Sequence, residues 1–390
     1  MSEALRILMV TDAPWDRRLG GPRVQIELGE EFERLGHTVE HFALEDAFPR
    51  QPRMPRIAGF VRDFPRQAER WIRRHTNRYD VIDARSGSLV APKQKLGFDG
   101  LLVTRSNGLL PIYEREFLAP LRRTSPAARG RLGTRLLRRL QLQQLTRRAQ
   151  LGFEHCDLLN VLNSDEETFA EKELEMGTKT VKLLHGLSCE RFAAFRVARM
   201  SPDRRLAAPL VAFIGSWDLR KGRVDAATYV KAVRTQAPEA TFRFLGTGAS
   251  REEVIADCGG DGEGIEVVPK FESEELPELL SDVSVGIMPS YVEGFPFSIL
   301  ELLAAAVPVV AYDAPGARET LPLVDPSLLV GRGNAAELGQ QVGKILTMDE
   351  RDYSRLSARA DEIAASLSWE EIAEQTITAY RNRLSEVRGG

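Results

Sequence analysis

The sequence predicts an α/β protein built as two doubly wound parallel-sheet domains in tandem. Three observations carry that expectation. The chain has 390 residues, beyond the size at which a single hydrophobic core usually keeps growing. Short apolar runs alternate with amphipathic segments, the pattern of βαβ units. Those runs are nearly continuous in apolar residues, as strands covered on both faces require. The first half supplies "RILMVT", "TVEHFAL", "DVIDAR", "LLVTR", "LLNVLN" and "VKLLH". The second supplies "LVAFIGS", "FRFLGT", "IEVVPK", "VSVGIMPS", "VPVVAYD" and "SLLVG". The expected junction is "AAFRVARMSPDRRLAAP", 193–209, rich in Pro, Ala and Arg. It separates a first domain over 1–195 from a second over 205–368. In "SLSWEEIAEQTITAYRNRLSEV", Ser368 and Glu371 fit a capping box, so a final helix starts there.

Composition narrows the class. Hydrophobic residues make up 43% and charged residues 28%, as in ordered soluble proteins. The net charge of −3 is uneven, +5 over 1–190 and −8 over 191–390, which suits halves with different partners. Cys156, Cys189 and Cys258 are isolated and form no CxxC pair. That argues against a disulfide scaffold or thiolate zinc site and for a reducing, cytoplasmic setting. "MSEALRILMVTD" lacks the basic-then-apolar order of a signal peptide. The most apolar segment, 302–312, is too short to span a bilayer and contains Pro308.

In open parallel sheets ligands bind beyond the carboxyl ends of the strands. Three glycine-marked loops occupy such places. In "DAPWDRRLGGPRVQIELGEEFERLG", Gly20 and Gly21 open an amphipathic helix, where bare backbone and free N–H groups favour an anion. A GxGxxG is absent, and a tight β–α turn explains the loop equally well. "FIGSWDLRKGR", 213–223, sets Arg220 and Lys221 between a strand and a helix, suited to a phosphate or to solvent. "FLGTGASREE" brackets another turn with Gly246 and Gly248. The most specific stretch is "SYVEGFPFSILELLAAAVPVVAYDAPGARE", 290–319. Glu293 lies in a turn, and a helix runs from about Phe297 to Ala306. Glu301 on that helix is placed to accept two hydrogen bonds from a vicinal diol, while the helix start meets a phosphate. The alternative is a carboxylate on a solvated helix face.

"EGFPFSILELLAAAVPVVA" resembles the EX7E segment of the GT-B glycosyltransferases of family GT4 (group 1), which transfer sugars from nucleotide-sugar donors with retention. The resemblance covers almost the whole chain in order, through the Gly20-Gly21 loop, "FIGSWDLRKG", "FLGTG", "DVSVGIMPSYVEGFPFSILE" and "PGARE". "HGLSCERF", 185–192, resembles the element closing the family's first domain. The implied fold is GT-B: two Rossmann-like domains with parallel sheets facing across a cleft. The first is acceptor-binding, with the 370–390 helix crossing back onto it, and the second binds the nucleotide sugar. The resemblance implies that Glu301 binds the ribose hydroxyls and Glu293 the donor sugar. The backbone N–H groups of Gly294, Phe295, Pro296 and Phe297 would help hold that sugar. Lys221, with Arg220, would neutralise the diphosphate, Gly21 would let its loop close on the donor, and Glu319 would lie near it. Asn107 stands where the family commonly has a histidine close to the reacting centre, and it can donate a hydrogen bond but carry no proton. Ser216 replaces a frequent arginine, with Arg18, Arg105 or Arg223 as substitutes. Ala306 replaces a helix-ending glycine, at about 1 kcal/mol if its φ is positive. The family's leaving phosphate is thought to help deprotonate the acceptor. No DxD triplet occurs, so neither metal nor cofactor is expected besides the donor.

The expected function is a retaining, metal-independent glycosyltransferase acting on a cell-envelope glycan, glycolipid or other glycoconjugate. Alternatives are a non-catalytic nucleotide-sugar-binding protein and an enzyme with a small-molecule acceptor. The stretch 121–150 holds nine arginines and no acidic residue, with leucines at helical spacing. Arg135, Arg138 and Arg139 are its candidate surface, and "RIAGFVRDFPRQAERWIRRHTNRY" adds Phe60, Phe64 and Trp71. Three readings fit: peripheral contact with anionic lipid at the inner membrane face, helices that bury leucines and solvate arginines, or a pocket for an acidic acceptor. No nucleic-acid recognition motif accompanies the charge.

Overall fold

The computed structural model describes residues 3–49, 58–108, 112–113 and 132–389. The chain forms two compact units, Met1–His185 with Trp369–Gly390, and Gly186–Ser368. The stretch expected to hold the junction, 193–209, contains helical structure. Cys189–Ala198 is a helix that buries Phe195 against the helices Leu276–Leu279 and Phe297–Ala304. Its Arg196 and Arg199 pair with Asp361 at 2.8 and 2.9 Å. Alanine and arginine here serve an amphipathic surface.

The first unit contains β1 (Arg6–Val10), β2 (Thr38–Phe42), β3 (Val81–Arg85), β4 (Leu101–Arg105), β5 (Leu158–Val161) and β6 (Thr180–Lys182). All pair in parallel, in the order β2-β1-β3-β4-β5-β6. The order reverses between β1 and β3, which opens a crevice at their carboxyl ends. Helix Gly20–Arg34 follows β1 and buries Val24, Leu28 and Phe32, one helical face at a four-residue spacing. The final helix, Trp369–Gly389, completes this sheet through a buried polar cluster. The Arg105 guanidinium lies 2.8 Å from Asp83 Oδ2, donates to Asn160 Oδ1 at 2.9 Å and reaches the Tyr380 hydroxyl at 3.0 Å. The Tyr380 hydroxyl in turn donates to Asp83 Oδ2 at 2.5 Å. Such a cluster is tolerable only when every member is satisfied.

The second unit contains β7 (Leu210–Ile214), β8 (Thr241–Leu245), β9 (Ile265–Val268), β10 (Val285–Met288), β11 (Val309–Tyr312) and β12 (Leu329–Val330). Its parallel order is β12-β11-β10-β7-β8-β9, and the reversal falls between β7 and β10. Each apolar run quoted above overlaps one of the twelve strands of the described residues. The helix after β10 spans Phe297–Ala304 and stops short of its expected end because Ala306 takes a left-handed φ of 55°. Arg205 braces that turn, donating to the carbonyls of Ala306 at 3.1 Å, Ala305 at 2.9 Å and Ser281 at 3.1 Å. A buried cation on the last carbonyls of a helix complements its dipole.

One of the two basic segments turns its described aromatics inward. Phe64 is fully buried and Trp71 packs on the same core, 5.0 Å from the Phe42 ring. These aromatics are core, not membrane surface; Phe60 has no described side chain. Leu132–His155 is helical, but the side chains of Arg135, Arg138 and Arg139, and residues 114–131, lie outside the described residues. Farther along, Leu145 is 39% exposed while Ala149 and Phe153 are buried. Among the described residues no helix is long and apolar enough to cross a membrane.

Candidate active site

The loops after β7 and β10 meet at the reversal point of the second sheet. Glu293, 9% exposed, lies between two cations. Its Oε1 is 2.7 Å from Lys221 Nζ and 2.8 Å from Arg220 Nη1. Burial pushes its carboxyl up, but Lys221 and Arg220 outweigh burial and hold it below the ordinary glutamate range. Glycine fixes this arrangement at two positions. Gly222 has φ 78°, and a Cβ there would lie 2.1 Å from the Pro289 carbonyl, so only glycine lets the two loops touch. Gly316, in the "PGARE" loop, has φ 83° and would meet the Gly294 carbonyl at 2.7 Å. That contact sets the loop bearing Glu319 against the Gly294–Pro296 turn. Backbone bonds continue the fit, with Tyr291 N–H donating to the Arg220 carbonyl at 2.8 Å.

A second layer braces the Glu293 loop from below. Asp225 Oδ2 accepts from the Tyr291 hydroxyl at 2.8 Å and the Tyr312 hydroxyl at 2.9 Å. Burial lifts the Asp225 carboxyl above its usual range although both hydroxyls favour its charge. One carboxylate thus ties the Lys221 loop, the Glu293 loop and β11 together. None of these three residues stood out in the sequence, because the partners lie 66 and 87 residues apart.

Glu301 is 5% exposed, so the solvated-face reading of it fails. Arg191 pairs with it at 3.4 Å. Pro296 carries no N–H, so of the four residues Gly294, Phe295, Pro296 and Phe297 it cannot donate to a ligand. Its part is to enter the helix with φ −80°. The substitutes for an arginine at Ser216 are already paired: Arg105 with Asp83, Arg18 with Asp16 at 2.8 Å, and Arg223 with Glu253 at 2.7 Å. Ser216 donates to Asp218 at 2.8 Å. Among the described residues no group of three or more His, Cys, Asp or Glu could hold a metal ion.

The first sheet's reversal point gathers another set. A Cβ on Gly21 would lie 3.2 Å from Asn107 Nδ2 and 3.8 Å from the Arg85 guanidinium carbon. In the amide orientation that satisfies both its ends, Asn107 accepts from Arg85 Nε and donates to the Ser106 carbonyl at 3.1 Å. Arg85 Nη1 also pairs with Asp12 at 2.8 Å, and Asp12 accepts from Ser88 at 3.2 Å. Gly21 and Asn107 are therefore neighbours. Arg85 and Asp12 were missed, although both stand at strand carboxyl ends.

Residues 208–348, which carry Lys221, Glu293 and Glu301, match the family described as Glycosyl transferases group 1. Over this segment the chain is similar to the group 1 glycosyl transferases. A 2-deoxystreptamine N-acetyl-D-glucosaminyltransferase of Streptomyces fradiae is 27% identical over 47% of this chain and 44% of its own length. A D-inositol 3-phosphate glycosyltransferase of a Nocardioides species is 29% identical over 41% and 38%. The matched stretches thus span less than half of these relatives. Among solved structures, sucrose-phosphate synthase from Thermosynechococcus elongatus is 19% identical with a TM-score of 0.71, over 97% of this chain and 98% of that one. HepE of Anabaena with UDP and glucose is 16% identical with a TM-score of 0.65, over 96% and 98%. These likenesses give the chain the GT-B fold.

Proposed function

We propose that the protein is a retaining glycosyltransferase that moves a sugar from a nucleoside-diphosphate sugar to an acceptor hydroxyl without a metal ion. The observation that supports this most is the buried cluster of Glu293, Lys221 and Arg220 inside the family segment. Breaking the bond from sugar to diphosphate builds positive charge at the anomeric carbon and negative charge on the leaving group. Lys221 and Arg220 are fixed cations for that leaving group, and fixed charges act strongly in a water-poor site. Glu293 belongs to the donor sugar and Glu301 to the ribose. The leaving phosphate accepts the acceptor's proton, so Asn107 need supply only a hydrogen bond. The test supplies UDP-, GDP- and ADP-sugars, follows nucleotide release and reads the product anomer by NMR. Lys221→Ala and Glu293→Ala are expected to lower turnover about 10²–10³-fold, and EDTA to leave it unchanged. Turnover indifferent to both substitutions, or an inverted product, would sink the reading.

For the acceptor, names carried by two relatives, 2-deoxystreptamine and D-inositol 3-phosphate, favour a small polyhydroxylated ring. The envelope glycan or glycolipid reading rests on the arginines of 121–150 and on peripheral membrane contact. An acceptor screen with cyclitols against lipid-linked sugars, with flotation on anionic vesicles alongside, decides between them.

A further inference from the structure

Glu301 receives its counter-charge from outside its own segment. Arg191, near the start of the helix Cys189–Ala198, places Nη2 3.4 Å from Glu301 Oε1, across 110 residues of sequence. The side chains are 14% and 7% exposed, so neither is left to solvent. The guanidinium is itself anchored: Nη1 donates to the Ser273 carbonyl, and its carbon lies 4.9 Å from the Phe195 ring centre. An ion pair this far from water is weak evidence for stability, since apolar residues of the same volume fold at least as well. A liganding group needs its rotamer locked by a neighbour.

We propose that Arg191 is a positioning residue of the nucleotide site, holding Glu301 so that its carboxylate is aimed at the vicinal hydroxyls of the donor's ribose. This rests on the reading of Glu301 as the ribose ligand. A glutamate loses much rotamer freedom when ordered, and ordering it before the ligand arrives leaves more of the contact energy as affinity.

The test titrates UDP, GDP and ADP into the full chain by calorimetry. It then compares the tightest binder with its 2′,3′-dideoxy counterpart. The unaltered protein is expected to prefer the ribose form by about tenfold or more, because a carboxylate loses its hydrogen bonds to the dideoxy form. Arg191→Ala is expected to reduce that ratio below about threefold while the dideoxy affinity stays within about twofold, and Arg191→Lys to restore it in part, as a point charge without the fork. Equal weakening of both ligands means a merely structural role and overturns the proposal, as does an unchanged ratio. Glu301→Gln separates the two readings. A ratio unchanged in Glu301→Gln overturns the ribose assignment itself; a ratio lost there but kept in Arg191→Ala overturns only the role of Arg191. Failure of all three nucleotides to bind overturns both. Should Arg191→Ala not fold, Arg191→Gln carries the same comparison.

Discussion

At the scale of single residues, the site is a balance of buried charge. Glu293 holds two cations, and its carboxyl lies below the ordinary range because they outweigh burial. An unfolded glutamate titrates near about 4.3. The stability that Glu293 contributes is therefore complete above that pH and disappears as pH falls through the lower folded value. Glu293→Gln should destabilise by about 2–4 kcal/mol at neutral pH. Its difference from the unaltered protein in urea midpoint should stay constant from pH 8 to 5 and shrink steadily as pH falls below the unfolded value. A difference that does not shrink on acidification would mean the ion pairs are not its source. Ala306 is a simpler case: its φ of 55° strains an L-residue, and Ala306→Gly should stabilise by about 0.5–1 kcal/mol, raising the melting temperature. That residue was legible in the sequence because an alanine stood where a helix-ending glycine was expected. Arg191 was not, since its partner sits 110 residues away and local pattern does not encode such distances.

At the scale of elements, the loops after β7 and β10 act as one piece. The twelve strands were readable because a buried parallel strand leaves a continuous apolar run. The helix Cys189–Ala198 was not, because alanine and arginine occur equally in linkers and in amphipathic helices. The loop fit was half readable: Lys221 and Glu293 came from motifs, whereas the bracing by Asp225, Tyr291 and Tyr312 needed coordinates. Tyr291→Phe removes one hydroxyl from Asp225 and frees the Glu293 loop without touching its ion pairs. Turnover should fall about tenfold, with donor KM changed less than threefold, since small misplacements of a reacting group act on rate. Gly222→Ala is the harsher change, because its Cβ would meet the Pro289 carbonyl. It should cost turnover about 10²-fold or more, and near-normal activity would show that the loops part without penalty.

At the scale of the whole molecule, the first unit is assembled from two separated pieces of chain, Met1–His185 and Trp369–Gly390. Tyr380 joins them through Asp83 and Arg105. Tyr380→Phe leaves both groups short of a partner and should destabilise by about 1–3 kcal/mol. Hydrogen exchange should show lost protection in β3 and β4 while β7 and β10 stay as they were; equal loss in both sheets would contradict this. The same connectivity governs events on the ribosome. At roughly 5–20 residues per second, all of Gly186–Ser368 is made between the two pieces, a delay on the order of ten seconds or more. For that interval Asp83 and Arg105 wait without Tyr380, whereas the second unit is already contiguous. The half of the molecule synthesised first is thus the half that matures later, and it is the nascent intermediate a chaperone would have to shelter.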